Sequence, residues 1–247
     1  MDETFEEKLY RFIFEGMPFE EAVKFFSEKV TVTAKEFENI SYSSKVRAFT
    51  ISGISSLDVL QGVKDEIQKA IADGTPFGEW KKSVNTFLER KGYEGLTPFR
   101  ADNIFRTNVQ TAYQVGKYEQ LTDPDILKAR PYWEYSSVKD GRTRAIHKAL
   151  DGMVFPAEHP FWDTWYPPNG YRCRCTVKSR SERDLKRLGK EVQKEAPPVI
   201  PTQDGQLLHV IPEQGFDTNP AKAAWTPDLD KYSPELRASY EKVKKER

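Results

Sequence analysis

The sequence is short of metal-binding and cross-linking side chains: 247 residues contain two cysteines, three histidines and three methionines. Two cysteines cannot build the disulfide framework of a small secreted scaffold. Net charge is also missing, because 38 basic and 38 acidic residues cancel. That balance excludes a uniformly basic nucleic-acid binder and an acidic solvating chain. No apolar run approaches the roughly 20 residues that span a bilayer. The segment from Met1 to Lys8 is acidic and lacks the basic-then-apolar order of a signal peptide. The expectation is a protein made in a reducing cytoplasm, with no membrane partner.

What is present suffices for a core. Hydrophobic residues make up 38% and aromatic residues 13% of the chain, while the mean hydropathy of −0.70 points to long polar segments. The length fits one large domain or two modest ones. The first third reads as punctuated helices. Phe19, Ala22, Val23, Phe25, Phe26 and Val30 form a stripe after Pro18. Thr33 and Glu36 have capping-box spacing. Ser55 or Ser56 can cap a helix carrying Leu57, Leu60, Val63, Ile67, Ala70 and Ile71, which Gly74 ends. Thr75-Pro76 opens another, and Thr97-Pro98 opens the longest, to about Leu121, where Asp123-Pro124 breaks it.

From Tyr132 the character changes. Residues 132–138 are strand-formers, 142–150 read as a short helix, 153–155 as a second strand and 171–178 as a third. His159 to Gly170 reads as an aromatic, proline-rich loop, and a charged helix is expected from Ser181 to about Lys194. Beyond Ala196 the chain is proline-rich and reads as an extended tail, docking through Val210-Ile211, Phe216 and Trp225, with a short helix over Pro234 to Arg247. The fold class expected is α+β: a helical N-terminal region (1–95), a small α+β domain (96–194) and an extended tail (195–247).

Four of the five histidines and cysteines fall between positions 147 and 175: His147, His159, Cys173 and Cys175. Imidazole and thiolate are the donors of tetrahedral zinc. On a strand, Cys173 and Cys175 would face one way with Cα atoms roughly 6.6–7 Å apart, near the limit for a disulfide but open to sharing one metal. The spacing matches no standard zinc pattern, and the alternative is two small buried thiols with two hydrogen-bonded imidazoles. Asp140 and Asp151 bracket His147, so a metal-dependent nuclease or hydrolase centred on His147 is an alternative. Eight basic residues against two acidic ones lie between Arg172 and Lys190. Arg172, Arg174, Lys178, Arg180, Arg183, Lys186 and Arg187 are therefore candidate phosphate contacts, against a solvated, salt-bridged face.

The block Asp140-Gly141-Arg142-Thr143-Arg144, His147, Leu150-Asp151-Gly152, His159-Pro160-Phe161-Trp162, Pro167-Pro168 and Cys173-Arg174-Cys175 resembles the head morphogenesis domain of tailed-phage minor head proteins of the Mu gpF type. Arg106-Thr107-Asn108, Ala112 to Gly116, Arg47 to Gly53 and Gly215 to Pro220 extend the resemblance over nearly the whole chain. It implies a virion head component acting in the host cytoplasm during assembly, with the portal protein, other head components and phage DNA as partners and no small-molecule substrate. Where many relatives carry a histidine, this sequence has Gly170. The resemblance therefore implies either that His159 completes a single structural zinc site with His147, Cys173 and Cys175, or that no metal is bound.

Overall fold

Spacing of apolar residues accounts for the first helices. In the computed structural model, residues 20–202, 205–223, 234 and 237–238 are described. Helix α1 (Glu20–Ser27) buries Ala22, Phe25 and Phe26. A two-residue strand β1 (Val30–Thr31) follows. Helix α2 (Ala34–Asn39) begins with the expected capping box: the Thr33 hydroxyl accepts from Glu36 N–H while the Glu36 carboxylate accepts from Thr33 N–H. After α3 (Tyr42–Lys45), strand β2 (Ala48–Phe49) pairs in parallel with β1. The sequence reading anticipated neither strand, because two-residue segments carry no periodicity.

Helix α4 (Leu57–Asp73) is capped by Ser56 and ended by left-handed Gly74. It packs on α5 (Phe77–Arg90), and the approach is close at Gly62. A Cβ there would lie 2.2 Å from the Phe87 ring. Helix α6 (Pro98–Leu121) has the predicted limits. Asp123-Pro124 breaks α6 as expected, but it also starts α7 (Pro124–Ala129), with the Asp123 carboxylate accepting from Asp125 and Ile126 N–H.

The chain forms two compact units. Among the described residues, one is drawn from 20–113 with 222–223 and the other from Gln114–Ala221. In the first, Lys29 and Lys64 are buried. Lys29 donates to Ala48 C=O at 3.4 Å and Lys64 to Ser27 C=O at 2.9 Å. Burial, then the neighbouring Lys64 and Arg47 charges, pull the Lys29 amine down to about 7; burial pulls Lys64 down to about 8. Between those values and the unfolded value near 10.5, the unfolded chain holds more protons. Stability of this unit therefore rises with pH from about 7 towards 10, by up to about 1.4 kcal/mol per pH unit for Lys29. Chemical denaturation at pH 7, 8 and 9 checks this, and Lys29→Met should flatten the slope.

The second unit holds a three-stranded antiparallel sheet in the order β4 (Val154–Pro156), β3 (Tyr132–Ser136), β5 (Thr176–Arg180). Helix α8 (Ala145–Ala149) lies between β3 and β4 in sequence, and α9 (Phe161–Trp165) between β4 and β5. Trp133, Tyr135, Phe155, Phe161, Trp162, Trp165 and Tyr166 form one aromatic core. Its rings meet edge-on in most pairs, as at Trp133–Trp162 (5.6 Å) and Tyr118–Tyr166 (5.1 Å).

Three expectations need correction here. The residues read as an aromatic loop include helix α9, held by burial of Phe161, Trp162 and Trp165. The charged helix is only α10 (Glu182–Leu188), because Gly189 takes the left-handed cap. The third strand begins at Thr176, so both cysteines precede it. The tail forms a short antiparallel hairpin of β6 (Val199–Pro201) and β7 (Leu207–His209). Val210 packs on the aromatic core and Phe216 meets Tyr171 edge-on at 4.9 Å, whereas Ile211 is exposed. Trp225 and most of the helix expected over Pro234 to Arg247 lie outside the described residues. Among those described, no helix is long and apolar enough to cross a membrane.

Candidate metal centre

Two local features bring the cysteines inward. A turn closes between Cys173 N–H and Gly170 C=O at 3.2 Å. Arg172 within it adopts a left-handed φ of 58°, a conformation that costs a non-glycine residue on the order of 1 kcal/mol. Cys175 N–H then donates to Cys173 Sγ at 3.5 Å. The result resembles the same-face expectation, but a turn produces it and not a strand. Opposite them, α8 presents its only buried residue, His147.

His147 Nδ1 lies 3.7 Å from Cys173 Sγ and 3.3 Å from Cys175 Sγ. The donor atoms of all three lie within 4.8 Å of one another. A tetrahedral zinc with Zn–S near 2.3 Å and Zn–N near 2.05 Å separates S from N by about 3.5 Å. The two observed distances bracket that value, and two sulfurs with one imidazole are a donor set zinc accepts. The three residues are 2–4% exposed. The Cys173 thiol is held well below its ordinary value, first by a hydrogen bond from Cys175 and then by His147; the same pairing, with burial, pushes Cys175 up. A metal takes the thiolate form, and the lowered Cys173 is the nearer of the two to it.

Around the trio stand residues the sequence reading missed. The rings of Tyr135 and Trp165 meet the His147 imidazole in T-shaped contacts, with centroids 6.5 and 5.9 Å away. The Tyr135 hydroxyl donates to Asn169 Oδ1 at 3.0 Å, and Asn169 is fully buried. Burial first, then the two cysteines, raises the Tyr135 phenol well above its usual value. Glu213 secures the turn from the tail. Its carboxylate accepts from Tyr171 N–H at 2.8 Å and pairs with Arg144 at 2.5 Å. A Cβ on Gly170 would sit 2.4 Å from that carboxylate, so the position has no room for a side chain while Glu213 is there. Buried Tyr135 could have suggested itself as a strand residue facing the core; nothing in the sequence signals Asn169 or Glu213.

The structure does not bring His159 to the trio. Its Nδ1 accepts from Phe161 N–H at 3.1 Å, and its Nε2 lies 3.0 Å from Lys194 C=O. Those partners take up both ring nitrogens, and the ring lies tilted against Phe155 with centroids 4.9 Å apart. Asp140 and Asp151 do not converge on His147 either. Asp140 takes both arms of Arg174 at 2.7 Å, which holds its carboxyl well below the usual range. Asp151 accepts from Ser137 and pairs with Lys139 at 2.8 Å. The basic strip is dispersed too. Arg174 is paired as above, Arg180 with Glu134 at 2.7 Å and Arg187 with Asp184 at 3.3 Å. Arg172, Lys178, Arg183 and Lys186 remain exposed.

Comparison with known proteins bears on this arrangement. The model of the family described as Phage Mu protein F like protein matches residues 61–178, a span that holds His147, Cys173 and Cys175. The "Putative capsid assembly protein F" of Escherichia phage Mu is 34% identical over 193 residues, covering 71% of this chain and 43% of the relative. The chain belongs to the Mu F-like family. Another Mu F-like relative, the "Mu-like prophage FluMu F protein" of Haemophilus influenzae, is 34% identical over 175 residues, covering 66% of this chain and 42% of its own length. The chain thus spans less than half the length of the Mu F-like relatives it matches. No solved structure matches it significantly.

Proposed function

We propose that the protein is a minor head component that acts at or near the portal during capsid assembly, as part of the virion head. The observation that carries this reading is the match of residues 61–178 to the Mu F-like family, together with one relative that bears the name putative capsid assembly protein. The site supports a shape-holding role. Three protein ligands is the count of a catalytic zinc, but here the ligands are buried and neither nearby aspartate joins the donor set.

The reading includes one structural zinc ion held by His147, Cys173 and Cys175. When bound, it would tie α8 to the turn before β5. No fourth histidine, cysteine or carboxylate joins the set among the described residues. His147 places its ring, the turn at 170–173 places both sulfurs, and Glu213 keeps that turn closed.

Co-expression with the portal protein encoded in the same gene cluster tests the assembly role. The expected outcome is co-purification with the portal, and loss of infectious heads when the gene is deleted. Absence of any association, with heads assembling normally in the deletion, would overturn it.

A further inference from the structure

An open groove of about 550 Å³ runs between α7 and the first turns of α10. Lys128 lines it from α7; Arg183 and Lys186 line it from α10, together with Ala129, Pro131 and one carboxylate, Glu182. Arg183 and Lys186 are three residues apart on a helix, so their side chains share one face. All three cations are exposed and none makes an ion pair among the described residues. This sets them apart from the cations around them. Arg130 and Arg187 share Asp184, Arg180 and Lys190 share Glu134, and Arg174 holds Asp140. The fold thus neutralises most of the basic segment and leaves a positive surplus at one concavity, contributed from both sides.

We infer that this groove binds the phosphodiester backbone of DNA without reading its sequence. Cations on two walls suit an elongated polyanion that lies along the groove. Protein partners are held mainly by buried aromatic or large aliphatic anchors. The groove offers none, since its apolar lining is Ala129 and Pro131. The neutral chain gives no long-range pull, so the contact is local and strongly salt-dependent. The inference goes beyond the assembly role and does not require portal contact.

A 30-base-pair duplex of random sequence, titrated with the full chain by fluorescence anisotropy, tests it. Three phosphate contacts give a log–log salt slope near −2.7, a loss of about 40-fold between 50 and 200 mM salt. The triple variant Lys128→Ser, Arg183→Ser, Lys186→Ser should lose that slope and most of the binding. A control of equal charge change, Lys82→Ser, Arg90→Ser, Lys91→Ser, should keep both. All six side chains are exposed, and a far-ultraviolet melt confirms that each variant is folded. An unchanged slope in the groove variant, equal losses in the control, or no binding by the wild type would overturn the inference. So would a glutamate decapeptide that binds the wild type but not the groove variant, while DNA binding stays the same in both. Normal co-purification of the groove variant with the portal keeps this result separate from the assembly role.

Discussion

Cys173→Ser is expected to lower the melting temperature of zinc-loaded protein by about 6–20 °C. Losing one thiolate from a buried three-ligand metal site removes on the order of 3–5 kcal/mol, a fraction of the roughly 10–16 kcal/mol that structural zinc supplies to small fingers. In a chain of this size each kcal/mol moves the midpoint by about 2–4 °C. The loss has a structural cause: His147 sits on a five-residue helix, and the sulfurs sit in a turn that contains a left-handed Arg172. Neither segment is long enough to hold its place alone. Calorimetry with and without a chelator reads the effect. Wild type should fall at least to the level of the variant when zinc is stripped, and the variant should respond less to the chelator than wild type does. Sub-stoichiometric zinc by elemental analysis, with no chelator effect on wild type, would reduce the trio to a buried hydrogen-bonded cluster.

Trp162→Ala should cost about 3–5 kcal/mol, the range for emptying a large aromatic site in a core. The ring is 1% exposed and meets Trp133, Phe155, Phe161 and Tyr166. Its Nε1–H also donates to Pro156 C=O at 3.0 Å, at the end of β4. Trp162→Phe keeps most of the ring contact and gives up that bond, so it should cost nearer 1 kcal/mol plus a small packing loss. Urea titrations of the two variants separate these contributions. Equal stability of Trp162→Ala and wild type would mean that the aromatic cluster is not the core of its unit.

The capping signals and the helix limits were legible because they are local. Thr33 with Glu36, Ser56, Gly74 and the span Pro98–Leu121 all depend on residues within a few positions of one another. Helix α9 was hidden because five residues carry no period and its helicity comes from where Phe161, Trp162 and Trp165 are buried. The metal candidates show the same divide. Residue type flagged His147, Cys173, Cys175 and His159 alike, but type does not report direction. A backbone N–H two residues along and a carbonyl 35 residues away take both nitrogens of His159. The basic run from Arg172 to Lys190 looked continuous because sequence does not show which carboxylates fold back onto it; Glu134 and Asp140 come from 46 and 34 residues upstream of the arginines they bind. Lys128 joined the surplus only because α7 lies beside α10.

The carboxylate of Glu213 carries a consequence for the order of events on the ribosome. It anchors the turn before Cys173 from 42 residues further along than the amide it accepts. While the nascent chain is shorter than that, the turn lacks its outer support and Gly170 has open space beside it. The sulfurs and the imidazole therefore emerge before the segment that shuts them in. For that interval the three candidate ligands already exist on the chain without the tail carboxylate that closes the turn beside them.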